Sequence, residues 1–298
     1  MIKLIDFSEP TENSQKCCRL FHGRGHAYDG FEHVCIDWLP PVILITLYSE
    51  VEKSWLQQLV ESLSKKIPYA KSIQVQYRCR RQAPFEILWG DVIQHTVVEE
   101  NTLNFNIQLG VAQNTGLFLD MFHGREWVYQ QAKDKNVLNL FAYTCAFSVA
   151  AIAGGASRVL NVDNNKSVLS RGRENHRLNQ HDLKKVKFEG VDIFKSFSRI
   201  KKHGPYDLMI CDPPTFQKGS VDIERDYKKI IRRLPQFMKP QSQLMLCLNS
   251  PDLDESFLHE LMEQECPDCK YMEVIKAPAV FKEAMAGKGL KVLVFQYL

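Results

Sequence analysis

A glycine fingerprint of the form G-x-G-x-x-G, which lets backbone approach a pyrophosphate closely, is nowhere in the chain. A dinucleotide-binding dehydrogenase is therefore disfavoured. A surplus of one charge sign is also missing. Thirty-eight basic side chains face 35 acidic ones, a formal net charge of +3, which permits nucleic acid as a partner without arguing for it. The first residues, MIKLIDFSEP, contain no apolar core of a signal peptide. The cysteines number nine, an odd count scattered along the chain, so reduced thiols in a cytoplasmic protein are expected. No four-ligand spacing occurs: Cys17, Cys18, His22 and His26 do not make one, and Cys266-x-x-Cys269 has no second pair. No metal is expected. The uncharged run from Asn136 to Ser157 is long enough to span a bilayer. It holds Asn139, Tyr143, Thr144 and Gly154-Gly155 and has no basic anchors, so a soluble protein without membrane association is expected.

What is present is ordinary globular material. A hydrophobic content of 45% in 298 residues suffices for one large core and one small one. Over residues 1–107 the pattern is that of a small α+β domain. Val42–Tyr48 is an apolar run of strand length, and Ser49-x-x-Glu52 has the form of a capping box. Val51, Trp55, Leu59, Val60 and Leu63 recur at helical spacing up to Pro68. Ile73, Val75 and Tyr77 alternate with polar residues as in a half-buried strand, with further strands at 85–89, 96–98 and 103–107. Over residues 108–298 short apolar runs at 137–140, 158–162, 185–189, 206–211 and 244–248 are each followed by a helical pattern, and 291–297 closes the chain. Repeated strand–helix units predict a parallel sheet covered by helices on both faces.

Ligands of such sheets bind at the carboxyl ends of the strands. The first run ends in Phe141-Ala142-Tyr143-Thr144-Cys145, the second in Asp163, the third is followed by Asp192, and the fourth by Asp212-Pro213-Pro214-Thr215-Phe216. An acid about 20 residues past the first turn can accept hydrogen bonds from ribose hydroxyls, and Asp192 is placed to meet an adenine amino group. A nucleoside cofactor without a diphosphate suits this set. Two prolines leave the Pro213 carbonyl free beside the Asp212 carboxylate, two acceptors for a planar amino group, with Phe216 as a stacking face.

The runs TGLFLDM (115–121), NLFAYTC (139–145), NVD (161–163), DIF (192–194) and DPPTF (212–216) resemble those of class I S-adenosylmethionine-dependent methyltransferases, in particular the bacterial large-subunit (23S) ribosomal RNA methyltransferases. The resemblance implies an α/β, Rossmann-like sheet preceded by a small α+β domain. It implies Asn139, Phe141, Tyr143 and Thr144 on the methionine side of S-adenosylmethionine, Asp163 on the ribose, and Asp192 with Ile193 at the adenine. Thr115, Phe118 and Asp120 would form a flap, and Asp212, Pro213, Pro214 and Phe216 would hold the target base. Three departures accompany it: Cys145 stands where glycine is usual, Phe122 stands where arginine often follows the flap, with Arg125 three residues on, and no PUA-type domain is expected in front.

Three basic sets suit phosphate contact, Lys228/Lys229/Arg232/Arg233 on one helix spanning 226–238, Arg171/Arg173/Arg177, and Arg78/Arg80/Arg81. The reading is methyl transfer to a base of RNA, ribosomal RNA foremost. A small-molecule or protein methyltransferase and a non-catalytic RNA-binding module are the alternatives. Asn249 falls where cytosine carbon-5 enzymes place their nucleophilic Cys, and Cys247 lies inside the preceding apolar run. A base nitrogen, guanine's foremost, is therefore the expected acceptor.

Overall fold

The structure is a computed structural model; it describes all residues except 9, 215, 218–220 and 286, and only the backbone of 216, 217 and 221. The chain divides into two compact units, Met1–Leu119 with Pro278–Ala286, and Asp120–Ala277 with Gly287–Leu298. The first unit thus extends past residue 107 and takes in a second, distant segment. No helix of the described residues is long and apolar enough to cross a membrane.

In the first unit, strands β1 (Cys18–His22), β2 (Val34–Leu39), β3 (Val42–Leu47), β4 (Ser72–Tyr77) and β5 (Phe85–Gly90) form one sheet in that order. Helix α1 (Lys53–Lys66) lies between β3 and β4, which run parallel, and β6 (His95–Glu100) with β7 (Leu103–Gln108) makes a hairpin. Leu56, Leu59, Val60 and Leu63 of α1 pack with Ile36, Trp38, Ile43, Ile45, Ile73 and Val75. The capping box is not made: Glu52 is the N-cap and no side chain bonds the first turn. Strand β4 is buried on both faces rather than half-buried. Its polar side is covered, and the amides satisfy backbone there, Gln74 donating to the Ile93 carbonyl at 2.7 Å and Gln76 to that of Gln113 at 3.0 Å.

The second unit opens with α2 (Phe122–Gln131), followed by β8 (Asn136–Leu140), α3 (Ala146–Ala153), β9 (Arg158–Asp163), α4 (Lys166–Leu178), β10 (Val186–Gly190), α5 (Phe197–Lys201) and β11 (Tyr206–Cys211). The short β12 (Phe216–Gln217) and β13 (Val221–Asp222) pair with each other. Then come α6 (Ile223–Ile231), α7 (Leu234–Phe237), β14 (Met238–Leu248), α8 (Glu255–Glu265), β15 (Cys269–Val274) and β16 (Lys291–Tyr297). The sheet order is β10-β9-β8-β11-β14-β16-β15, with β16 antiparallel to both neighbours. The order reverses between β8 and β11, so ligand chemistry belongs at their carboxyl ends.

The expected single helix over 226–238 is two helices, because Pro235 in the first turn of α7 has no N–H to continue the ladder. Its inward residues are as read: Tyr227, Ile230, Ile231, Leu234 and Phe237 are buried. Strand β14 begins at Met238 rather than 244, and its irregular pairing with β11 between Tyr206 and Leu208 absorbs the extra residues.

Candidate active site at the carboxyl ends of the central strands

Leaving β8, the chain turns through Phe141, Tyr143 and Cys145 with φ of +56°, +46° and +61°. Each non-glycine residue in that region costs on the order of 1–3 kcal/mol, so surrounding contacts must hold it. They do. The Ala142 N–H donates to the Val162 carbonyl at 3.1 Å, the Cys145 N–H to that of Ala142 at 2.7 Å, and the Asn175 amide of α4 to that of Thr144 at 3.0 Å. The Tyr143 N–H donates to the Asp163 carboxylate at 2.9 Å.

Cys145 replaces glycine by borrowing space from α4. A Cβ on Gly172 would lie 2.8 Å from the Cys145 Cβ and 3.2 Å from the Thr144 carbonyl carbon. Glycine at 172 thus admits the side chain that 145 has gained. The Cys145 thiol is fully buried and burial raises its pKa well above the ordinary thiol range, so it is inert packing.

Asp163 is half-buried at the end of β9. One oxygen accepts the Tyr143 N–H and the other the Asn165 N–H, both at 2.9 Å. Burial raises its pKa while those two N–H groups pull it down. A carboxylate has lone pairs to spare beyond these two bonds. Asp192, past the end of β10, caps the one-turn helix Ile193–Lys195, accepting from Phe194 N at 2.9 Å and Lys195 N at 3.3 Å. Ile193 is buried, and the Phe194 ring lies 6.2 Å from that of Phe141.

Asp212 follows β11 directly. Burial pushes its carboxyl up to about 7, with the charge of Asp120 adding and the cation of Arg125 opposing. Pro213 is buried and Pro214 exposed. Underneath, the Tyr227 hydroxyl is placed 3.2 Å from the carbonyls of both Cys211 and Cys247, tying the ends of β11 and β14 to α6. The side chains of Thr215 and Phe216 lie outside what is described, so the stacking face stays an expectation.

Some expected residues converge and others do not. Tyr143 meets Asp163, Phe141 meets Phe194, and Asp120, Arg125 and Asp212 share one electrostatic environment. Asn139 is 1% exposed and its amide donates to Asn161 at 2.8 Å. Asn161 in turn donates to Ser148, which bonds the buried His176. Asn139 thus stands at one end of an interior polar chain. Thr115, exposed Phe118 and the rest of that run to Leu119 belong to the first unit, Asp120 to the second. Two residues gained a role only here. Arg125 is 3% exposed on an otherwise apolar helix face, a pattern that signals a buried cation. Arg171 bonds the Tyr143 hydroxyl and lowers its pKa against the effect of burial.

The three basic sets are largely engaged. Arg80 grips Glu50 at 2.6 and 2.7 Å, and Arg78 donates to the Gln113 carbonyl. Arg177 pairs with Glu174, Lys229 with Asp226 and Arg232 with Glu265. Helical faces rich in both signs neutralise themselves locally.

Comparison with known proteins decides the family. Residues 18–296 match the model of the S-adenosylmethionine-dependent methyltransferases. This chain belongs to that family. It is 29% identical over 252 residues to ribosomal RNA large subunit methyltransferase I of Vibrio vulnificus (strain YJ016), covering 80% of this chain and 64% of that protein. It is 28% identical over 296 residues to YwbD of Bacillus subtilis (strain 168), a candidate ribosomal RNA large subunit methyltransferase, covering 93% and 74%. Among solved structures, the candidate methyltransferase SMU.776 in complex with S-adenosylhomocysteine superposes with a TM-score of 0.88 at 25% identity, over 99% of this chain and 80% of that one. The fold is the class I methyltransferase sheet. The residues present suit the family's cofactor: a half-buried carboxylate with lone pairs to spare ends β9, and the sequence lacks the G-x-G-x-x-G run that a pyrophosphate would need.

Proposed function

We propose that this chain methylates a base nitrogen of ribosomal RNA. The observation that carries the reading is the place of Asp212-Pro213-Pro214 directly after β11 at the β8/β11 reversal, where burial pushes the Asp212 carboxyl up to about 7. Two fixed acceptors orient a planar amino group, and a carboxylate of that basicity takes the proton such a nitrogen sheds at neutral pH. When bound, S-adenosylmethionine supplies an electrophilic methyl group on sulfur. Asp163 accepts from its ribose, Asp192 and Ile193 flank its adenine, and Tyr143 and Thr144 shape the wall on its methionine side. Asp120 stands on the flap side of this site, and Phe216 serves as the stacking face for the target base. The names of the relatives support RNA as the substrate class.

The thiols near Asp212 support nitrogen over carbon. Cys211 and Cys247 are both fully buried in their strands, and burial pushes their pKa values far up. Asn249, exposed at the end of β14, is an amide without nucleophilic power. A carbon-5 mechanism needs a thiolate that adds to the ring. RNA carrying 5-fluorocytidine tests this. No stable covalent protein–RNA adduct is expected, and an adduct that disappears in Cys247→Ala would transfer the reading to cytosine carbon 5.

For the RNA backbone we assign the corner at the outer edge of β10. Arg158, Lys184, Lys185, Lys187, Arg199, Lys201 and Lys202 are all exposed there. Glu189 sits among them, with Arg199 at 3.3 Å and Lys187 at 3.7 Å. One carboxylate shared by several cations leaves a positive surplus suited to phosphates.

A further inference from the structure

The cysteine pair that makes no zinc site has a different geometry to offer. Cys266 caps the C-terminus of α8 and is 2% exposed, while Cys269 opens the edge strand β15 and is partly exposed. The Cys269 N–H donates to the Cys266 carbonyl at 3.0 Å, closing a turn through Pro267 and Asp268. The ends of such a turn lie within about 7 Å, which overlaps the Cα separation of disulfides, roughly 4.4–6.8 Å. The two sulfurs already face each other at 3.7 Å, the Cys269 S–H directed at Cys266.

We propose that Cys266 and Cys269 form a reversible dithiol–disulfide site that exchanges with low-mass disulfides. The two thiols divide the labour by exposure. Cys269 first gives its S–H proton to water. The thiolate so formed attacks the external disulfide, one half of which takes up a proton and departs as a thiol, leaving Cys269 in a mixed disulfide. The Cys266 thiolate then attacks the Cys269 sulfur and expels the second half. The two protons lost by the cysteines end on the two released thiols, and the external disulfide is the oxidant throughout. Position separates this site from the methyl-transfer machinery. Helix α8 starts beyond the loop that follows β14 and runs back for 11 residues, about 16 Å, to Cys266. Closure joins the end of α8 to the sheet edge and leaves the carboxyl ends of the central strands alone.

The experiment needs no variant to begin. The intact chain is equilibrated with mixtures of oxidised and reduced glutathione, alkylated with iodoacetamide, and cut after glutamates, which places both cysteines on the single peptide 266–273. Peptide mass spectrometry is expected to show that peptide passing from doubly alkylated to unalkylated and two hydrogens lighter as the mixture becomes oxidising, with methyl transfer unchanged. Cys266→Ser should stop at the mixed disulfide on Cys269, and Cys269→Ser should stay reduced. A doubly alkylated peptide in oxidised glutathione alone would overturn the proposal. So would a stable mixed disulfide in the unsubstituted chain, since Cys266 would then not resolve it.

Discussion

The main-chain N–H of Tyr143 donates to the Asp163 carboxylate at 2.9 Å, so the left-handed turn after β8 and the acid that ends β9 form one device. The acid that would hold the ribose also holds the strained turn that would line the methionine side. Loss of its charge therefore acts twice. Asp163→Ala is expected to weaken S-adenosylmethionine binding by about 1.5–3 kcal/mol, roughly tenfold to a hundredfold. Titration calorimetry reads this directly, and unchanged affinity would remove Asp163 from the ribose.

Gly172 is the counterpart of Cys145. Gly172→Ala forces a methyl group against the Cys145 side chain and the Thr144 carbonyl carbon, and overpacking of this kind costs about 1–3 kcal/mol. Thermal unfolding should show the loss. The paired change Cys145→Gly in the same chain should restore both stability and cofactor affinity, because it frees the same space and removes a non-glycine residue from a φ of +61°. Failure of that rescue would show that the two positions are not coupled.

Asp212 links activity and stability to pH with opposite signs. Its carboxyl, at about 7, must be ionised to take a proton from the target nitrogen, so turnover should rise as pH climbs through about 7. The folded-state value lies above the unfolded one near 3.9, so folding binds the proton more tightly. The stabilisation is complete below about pH 4 and is lost as pH rises towards 7. Asp212→Asn should accordingly be more stable than the parent at pH 8, by roughly 1–3 kcal/mol, and melt at a higher temperature, while turnover falls far more than cofactor affinity. Equal melting temperatures at pH 8 together with normal turnover would contradict the role given to this residue.

The basic corner at β10 makes a salt-dependent prediction. Lys184→Glu with Lys185→Glu should weaken binding of ribosomal RNA fragments and flatten the slope of log affinity against log salt by about one unit per lost phosphate contact. Charge reversal at Arg80, already bound to Glu50, should change RNA affinity much less. The reverse ranking, measured by filter binding across a salt series, would move the RNA surface elsewhere.

Most strands were legible from short apolar runs or from apolar–polar alternation. Strand β2 was not, since Asp37 breaks its run; that acid is tolerated in a buried strand only because Arg19 from β1 meets it at 2.5 Å. The acids Asp163, Asp192 and Asp212 could be read from their place after strands, a property of chain order. The burial that raises Asp212 and the Gly172–Cys145 fit depend on elements distant in sequence, and no local pattern encodes them; the helix face of Arg125 signals a buried cation but not that it opposes Asp212. The ion pairs of the basic sets were hidden for the same reason: Glu50 and Glu265 lie some 30 residues from the arginines they meet.

Incubating the protein with isotopically labelled S-adenosylmethionine and unmodified large-subunit ribosomal RNA, then digesting the RNA to nucleosides for mass spectrometry, tests the central claim most directly. The account predicts one labelled nucleoside whose fragmentation places the methyl group on a base nitrogen, and no such product from the Asp212→Ala variant. Label at cytosine carbon 5, or no label in the RNA while cofactor binding is intact, would contradict it.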